Sequence, residues 1–386
     1  MESSSQSSNQ LELYSWGLNK GGQLGIGQTK ARCEMLPKKV KLQNPADVST
    51  FSNSSICVTK SGKIFGWGNN QKNRLGNFSG GDNSASPVEI KLTQKIIQVS
   101  CGQYHSLLLT HDGLCLSAGQ NKSGELGREG SDASFDFIDC KLPLRSVEAG
   151  FSVSFYITIE NQLLTSGKKS LNTLNKDIKI PSLVKFFSNG VHQIQCGYNH
   201  VGCIDQINDL YMWGNNQNSK LGVRSKAEFV DQPTLVKYLK EKDVKISQVS
   251  CTMGERHGHT GCVSVDGRAF FWGDPYKGKL GNLQAGWTHE KEDNEDVENP
   301  FELDLSTIGK AKKVLCAGIH SGLLTEDGKL YTFGCGSDGR LGHPDYEGST
   351  YLYKESIPKL VEFFNEYFIE DVTSSYYWNY AIVRKL

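Results

Sequence analysis

Short apolar runs recur along the whole chain, and residues that favour turns separate them. Residues 97–101 and 106–110 are typical, and the polar break 111–113 follows them. Runs of this length bounded by Gly, Asn and Asp are typical of β-strands. Dipeptides that suit two-residue hairpins, whose backbone needs positive φ, occur at Ser61-Gly62, Asp112-Gly113, Asp266-Gly267 and Asp327-Gly328. Because no sustained 3.6-residue apolar period is present, the pattern predicts an all-β protein.

A glycine-closed motif repeats through this pattern and sets its period. The seven copies are 47 to 61 residues apart and end at Gly17, Gly68, Gly119, Gly167, Gly214, Gly273 and Gly334. Five of them carry an aromatic residue directly before the glycine, as in Tyr14-Ser15-Trp16-Gly17. Self-similarity at roughly 50 residues is typical of propellers and solenoids. Four short strands per unit then predict a seven-bladed β-propeller with four-stranded blades.

The two ends of the chain suggest how such a propeller closes. After the seventh motif, residues 369–372 and 380–383 supply strands, and residues 11–17 are expected to pair with this C-terminal blade. Closure of this kind removes an open sheet edge. Residues 1–10 are rich in Ser and Asn and are expected to form a disordered tail. Residues 11–386 are expected to form a single propeller domain, with insertions at 282–301 and 344–370.

Composition narrows the function classes. Lys plus Arg equals Asp plus Glu at 42 each, so no global field favours nucleic acid or an anionic membrane. The N-terminus has no signal-peptide pattern, and no segment has the ~20 apolar residues that cross a bilayer. Eleven cysteines occur without a Cys-x-x-Cys pair, which argues against structural zinc. We therefore expect an intracellular, monomeric protein without metal or cofactor, although cytoplasm and nucleus are not distinguished.

The fifth repeat departs from its neighbours between Cys251 and His259. It contains four more residues than the corresponding segment of the second repeat, 101–105. Loops carry function more often than core strands do, so Glu255, Arg256 and His257 are candidate partner-binding residues. The alternative is a tolerated bulge without a function.

Longer insertions occur in the sixth and seventh repeats. The first, 282–301, is acidic and contains an aromatic residue that could anchor a partner; its candidate residues are Trp287, Glu292, Asp293, Glu295 and Asp296. The alternative is a solvated, mobile loop. The second, 344–370, contributes the candidates Tyr346 and Tyr351. Neighbouring long links are expected to build one enlarged rim.

Recurrent histidines at 105, 200, 259 and 320 could be mistaken for metal ligands. Equivalent positions of a propeller lie about a blade apart, so we interpret each one as a buried histidine bonded to a neighbouring backbone carbonyl. No glycine-elbow serine, HExxH or paired-carboxylate motif is present. No catalytic residue is therefore assigned.

The repeats resemble those of the regulator of chromosome condensation family. The resemblance rests on Trp67-Gly68-Asn69 through Leu75-Gly76, and on the companion strand that begins at Cys101-Gly102 and ends at Asp112-Gly113. It covers about residues 11–383 and implies a seven-bladed propeller. The best-known activity of the family is guanine-nucleotide exchange on the small GTPase Ran, and other members resemble scaffolds or domains of ubiquitin ligases.

The sequence departs from the exchange factor of that family at the positions implied to matter. The factor carries aspartates just before the recurrent histidine, whereas this chain has pairs such as Gln103-Tyr104 and Tyr198-Asn199, and no repeat offers an aspartate there. We therefore expect a non-enzymatic scaffold that binds a protein partner through rim loops of repeats five to seven. The alternative is a guanine-nucleotide exchange factor for a Ran-like small GTPase.

Overall fold

The computed structural model describes residues 10–27, 31–130, 133–282, 296–344 and 353–386. These residues form seven four-stranded antiparallel sheets arranged around a central cavity of about 260 Å³. The innermost strand of every blade contributes to the lining of that cavity. The predicted seven-bladed β-propeller is thus confirmed. We number each blade after the glycine motif that it contains, so blade 1 joins the two ends of the chain.

The strands follow one another in chain order through the blades. Blade 1 begins with β1 (Leu11–Leu18) and β2 (Cys33–Val40). Blades 2 to 4 contain β3 (Pro45–Phe51), β4 (Ser54–Thr59), β5 (Ile64–Asn69), β6 (Asn83–Ile90), β7 (Ile96–Cys101), β8 (His105–Thr110), β9 (Cys115–Gly119), β10 (Asp136–Phe137), β11 (Leu144–Ala149), β12 (Val153–Thr158), β13 (Leu163–Gly167) and β14 (Ile178–Leu183).

The second half of the chain repeats the arrangement. Blades 5 to 7 contain β15 (Val191–Cys196), β16 (His200–Asp205), β17 (Leu210–Asn215), β18 (Phe229–Leu235), β19 (Ile246–Cys251), β20 (His259–Ser264), β21 (Ala269–Gly273), β22 (Val297–Glu302), β23 (Ala311–Cys316), β24 (His320–Thr325), β25 (Leu330–Cys335) and β26 (Lys354–Leu360). Blade 1 is completed by β27 (Tyr367–Ser374) and β28 (Trp378–Lys385). Helical segments are short: α1 (Lys237–Glu241) and the 3₁₀ turns Gln71–Asn73, Gln217–Ser219, Tyr276–Gly278, Ser337–Gly339 and Glu362–Phe364.

Blade 1 takes two strands from each end of the chain, in the order β2-β1-β28-β27. Strand β1 pairs with β28 from Leu11 opposite Arg384 to Gly17 opposite Trp378. The sequence pattern assigned only 11–17 to this blade from the N-terminal end. Residues 33–40 were missed because an outer strand that is mostly solvated has no alternating apolar pattern, and Pro37 weakens the signal further.

The inner strands are joined by side chains that reach the backbone of the next blade. Asp47 and Ser49 of blade 2 accept hydrogen bonds from the amides of Val99 (3.0 Å) and Cys101 (2.9 Å). Side chains of later inner strands accept from the amides of the next blade in the same way. The acceptors are Gln98, Ser100, Glu148, Gln193, Gln195, Gln248 and Ser250. These bonds satisfy amides that the first strand of a sheet would otherwise leave unpaired. The polar lining of the central cavity therefore stabilises the ring.

The tryptophan of the glycine motif binds the Leu-Gly turn of the preceding blade. The indole N–H of Trp272 donates to the carbonyl of Lys220 (2.9 Å), and that of Trp16 donates to the carbonyl of Arg340 (3.2 Å). The glycine is required because a Cβ on Gly273, whose φ is 104°, would lie 2.6 Å from the carbonyl oxygen of Gly258. Each of the four copies that carry tryptophan thus closes one contact between blades.

The recurrent histidines complete these contacts through a hydroxyl or amide group of the next blade. His259 Nε2 lies 2.8 Å from Ser321 Oγ, which donates in turn to the carbonyl of Lys279 at 2.7 Å. Since the hydroxyl proton is used on the carbonyl, Nε2 must donate. Burial lowers the pKa of His259 well below its usual value, so the imidazole is neutral. His105, His200 and His320 reach Ser154, Thr260 and Asn379 in the same way. The sequence-based expectation of a direct bond to a carbonyl was wrong, because a side chain of the next strand lies in between.

The two long insertions are shorter than their sequence boundaries. The last residues of 282–301 belong to the outer strand β22, and the stretch 344–370 includes β26 and the start of β27. Both strands are edge strands that pair on one side only, so their alternation of apolar and polar residues is weak. The loops themselves lie largely outside the described residues.

Candidate functional site

All three expanded loops leave the propeller on one face. The strands of a blade alternate in direction, so the connection between its first and second strands lies on the same face as the connection between its third and fourth. Residues 252–258 join β19 to β20, residues 274–296 join β21 to β22, and residues 336–353 join β25 to β26. We call this face the loop face. The loop that the sequence assigned to the fifth repeat thus belongs to blade 6.

The loop 252–258 crosses the mouth of the central cavity. Met253 lines the cavity, and Gly254 lies so close to Tyr376 of blade 1 that a Cβ would be 2.1 Å from its ring. Thr252 donates its hydroxyl to the carbonyl of Ala317 in blade 7, and its own carbonyl accepts from the amide of Tyr198 in blade 5 at 2.9 Å. Contacts with three other blades hold the loop in place.

A compact ionic cluster fixes the end of this loop. His257 Nδ1 lies 2.7 Å from Asp274 Oδ2, and its ring stacks on Tyr276 at 4.4 Å between centroids. Asp274 Oδ1 is 3.1 Å from Nζ of the fully buried Lys279. Burial opposes ionisation of Asp274, but Lys279 and the Tyr276 amide hold the pKa of this carboxyl below its usual value. Asp274 is therefore a charged anchor for His257.

The exposed candidates border a cleft of about 520 Å³ between blades 5 and 6. Glu255, Arg256 and His257 line it together with Gln217 and Asn218. The first two are exposed and His257 is half-buried. Burial, and then the Glu255 carboxylate, raise the pKa of Tyr198. The cleft thus presents both a carboxylate and a guanidinium to solvent.

Asp296 is the one acidic candidate of the sixth repeat that the structure describes. Its Oδ1 accepts a hydrogen bond from Asn218 at 3.3 Å, and burial raises its pKa. Asn218 also lines the cleft, so the structure brings Asp296 to the group formed by 255–257. The remaining candidates, Trp287, Glu292, Asp293, Glu295, Tyr346 and Tyr351, lie outside the described residues.

Aromatic side chains surround the cavity mouth on the same face. Phe151 and Tyr198 pack at 4.6 Å between centroids, and Tyr376 and Tyr377 at 4.3 Å. Arg340 lies 4.8 Å from the ring centre of Tyr377, a distance typical of cation–π contacts. In the sequence, the register of these aromatic residues stood out only because aspartates are absent from it. The recurrence of aromatic residues at one register of several repeats was the signal that could have identified them.

The histidines of the inter-blade contacts form no metal site. Each one is buried and is used by its bond to the next blade. In the described ranges, no three His, Cys, Asp or Glu side chains lie together in a way that could hold a metal ion. Across the same ranges, no helix is long and apolar enough to span a membrane.

The ring of seven blades, the paired contacts between the glycine motif and the Leu-Gly turn, and the expanded loop face define a repeat propeller of one recognisable class. The family model described as RCC1-like domain matches residues 6–310, and the model of the regulator of chromosome condensation (RCC1) repeat matches residues 327–382. The chain belongs to the RCC1-like domain family, which confirms the resemblance seen in the sequence.

Two relatives at low sequence identity are different kinds of protein. The chain is 26% identical over 331 residues to the Regulator of chromosome condensation of Mus musculus, which covers 78% of this chain and 77% of that protein. It is 27% identical over 297 residues to the E3 ubiquitin-protein ligase HERC2 of Homo sapiens, which covers 73% of this chain and 6% of that protein. Against HERC2, the chain therefore spans only a small part of the relative.

Solved structures share the fold. Human WBSCR16 superimposes with a TM-score of 0.82 at 19% identity, covering 97% of this chain and 100% of that one. Prp20p from Saccharomyces cerevisiae, whose structure is described with its binding properties to Gsp1p and histones, has a TM-score of 0.82 at 17% identity over 99% and 93% of the two chains. At such identities the likeness establishes the fold alone.

Proposed function

We propose that this chain is a non-enzymatic scaffold that binds a protein partner through the loop face of blades 6 and 7. The observation that carries the proposal is that the expanded loops of these neighbouring blades leave the same face. Membership of a family of propellers with regulatory and ligase relatives is consistent with an interaction role. Propellers of this kind act through the residues that they present, because the fold alone does not define a function.

The described part of this face has the properties of a binding surface. The loop 252–258 is held by blades 1, 5 and 7. Binding of a partner would therefore cost little conformational entropy of this loop. Arg256 is exposed beside the half-buried Tyr376, and Arg and Tyr are enriched among residues that dominate binding energy. A rigid support beneath exposed Arg and aromatic side chains favours recognition of a protein surface.

Two changes to the loop face test this proposal. We expect that Arg256→Glu, and replacement of residues 284–294 by a Gly-Ser linker of equal length, each reduce the retained partner about tenfold, the effect of losing about 1.4 kcal/mol of binding energy. Both changes leave every described strand intact. Affinity capture from cell extract, followed by binding measurements with the purified partner, gives the readout.

The control carries the same charge change on the opposite face. Lys185→Glu lies in the connection between β14 and β15 and is exposed. It should retain the partner at the wild-type level. Retention of every partner by both loop-face variants would contradict the proposal.

Exchange on a Ran-like small GTPase is the second candidate. The similarity to the Regulator of chromosome condensation over most of its length favours it, as does the binding of Gsp1p by the structural neighbour Prp20p. Against it, the positions before the recurrent histidines hold Tyr104 and Asn199 rather than aspartates. Aromatic packing at the cavity mouth leaves no carboxylate in that register to contact a GTPase.

A further inference from the structure

A second cleft lies on the face opposite the loop face, which we call the hairpin face because the tight turns between second and third strands leave it. This cleft has a volume of about 630 Å³ and lies between the connection 41–44 and the turn 60–63 of blade 2. Leu42 and the half-buried Phe65 supply apolar surface, while Lys41, Lys60 and Lys63 line it with ammonium groups. Apolar and cationic groups thus meet in one concave site.

Every charged side chain that lines this cleft is positive, although the formal net charge of the whole chain is zero. None of the nine described residues that line it is acidic. Lys63 pairs with Glu89 at 3.4 Å, an exposed contact, whereas no described carboxylate pairs with Lys41 or Lys60. The stem of Lys95 lies against Gly62 at the edge of the cleft and adds a fourth ammonium group nearby. Unpaired cations of one sign produce a local field that attracts anions.

Another cleft on the hairpin face shows that this charge is not a general property of the fold. It lies at blade 6, has a volume of about 610 Å³, and is lined by Asp266, Arg268, Glu302, Asp304 and Lys310 among others. Arg268 pairs there with Asp266 at 2.9 Å and with Glu302 at 3.5 Å. Three acidic and two basic side chains line that cleft, so a basic lining is not a general property of clefts on the hairpin face.

We propose that the cleft formed by 41–44 and 59–65 binds an acidic peptide segment that carries an apolar side chain. The carboxylates would lie among the ammonium groups of Lys41, Lys60 and Lys63, and the apolar side chain would cover Phe65 and Leu42. Lysine is suited to this task because its flexible stem adapts to several carboxylate positions. A nucleic acid would use exposed aromatic surface for base stacking, and here the lone aromatic ring of the lining lies half-buried between lysines.

The test compares two variants of equal charge change. A fluorescein-labelled peptide of Glu and Asp with one central Leu is titrated with the full chain, and anisotropy gives the Kd. We expect Lys41→Glu/Lys60→Glu to weaken binding about tenfold, since each reversal turns an attraction for a peptide carboxylate into a repulsion. The control, Lys141→Glu/Lys185→Glu, changes two exposed lysines elsewhere on the hairpin face and should bind like the wild type.

Each outcome decides the proposal. Replacing the central Leu by Gly should also weaken binding, and added salt should weaken it further. If the reversed variant does not fold, Lys41→Gln/Lys60→Gln gives the same comparison with neutral side chains. Equal binding by the cleft variant and the control, or tighter binding of a DNA duplex or of phosphatidylserine vesicles than of the peptide, would overturn the proposal. This site is independent of the loop face, so a failure here leaves the proposed function untouched.

Discussion

Removal of residues 1–18 is expected to lower the melting temperature by about 7 °C or more, or to prevent folding altogether. The deletion takes away β1, the strand that holds β2 against β28 in blade 1. It also removes the buried side chains of Leu13, Tyr14 and Trp16. At about 2 kcal/mol for each buried apolar side chain, the loss is near 6 kcal/mol before any hydrogen bonds are counted, against a usual net stability of about 5–15 kcal/mol.

Calorimetry of three proteins checks this expectation. A deletion of residues 1–9 removes only residues that precede β1, and it should melt like the full chain. Trp16→Ala keeps the strand but loses the hydrogen bond to the carbonyl of Arg340. Its melting temperature should therefore lie between those of the two deletion variants. A chain that starts at residue 19 and melts like the full-length protein would refute closure through β1.

Acidification from about pH 7 to about pH 5 is expected to destabilise the protein by several kcal/mol. Burial lowers the pKa of His105 and of His320 to about 3, and holds the pKa of His200 and His259 well below its usual value. The unfolded chain binds protons below about pH 6.5, where the folded chain does not. The contribution of these histidines to stability is therefore fully present above about pH 6.5. It is lost as the pH falls toward the pKa values of the folded state.

The size of the effect follows from the difference in pKa between the two states. His105 and His320 each contribute about 2 kcal/mol of destabilisation at pH 5, and His200 and His259 act in the same direction. Burial raises the pKa of Asp47 to about 6 and that of Glu148 to about 7, so these two carboxyls stabilise the fold as the pH falls. Two carboxyl groups offset only part of the loss from four imidazoles.

Urea unfolding at several pH values measures the net effect of the histidines and the two carboxyls on the free energy of unfolding. His320→Gln retains an N–H donor for Asn379 but cannot bind a proton. The slope of the free energy of unfolding against pH should therefore decrease by the amount that corresponds to nearly one proton. The exposed His192 supplies the matched substitution, His192→Gln, with which the slope of His320→Gln is compared. A free energy of unfolding that stays constant or rises on acidification would contradict the neutral hydrogen-bonded histidines.

The repeat could be predicted because the same physical contact recurs in each unit. In most units, an aromatic residue, a glycine with positive φ and a Leu-Gly turn together join one blade to the next, and each leaves a residue in the sequence. Edge strands leave no such signal. Residues 33–40 and 297–302 pair on one side and face solvent on much of their surface, so their patterns do not differ from those of loops.

The candidate site was predictable in part. Extra residues before His259 indicated an altered loop, and the structure places Glu255, Arg256 and His257 together at one cleft. What fixes that loop could not be inferred, because its partners Tyr198, Ala317 and Tyr376 are far away in sequence and meet it only through ring closure. The basic cleft at blade 2 was also hidden, since Lys41 and Lys60 meet only when two connections come together on the hairpin face.

Nucleotide release from a Ran-like small GTPase tests most directly whether this propeller is a scaffold or an exchange factor. The GTPase is loaded with a fluorescent nucleotide, and release is followed with and without substoichiometric amounts of the protein, with a magnesium chelator as the positive control. The scaffold proposal predicts an unchanged release rate, because none of the residue pairs before the recurrent histidines contains an aspartate. A release rate that increases with the concentration of the protein would contradict it and would establish exchange.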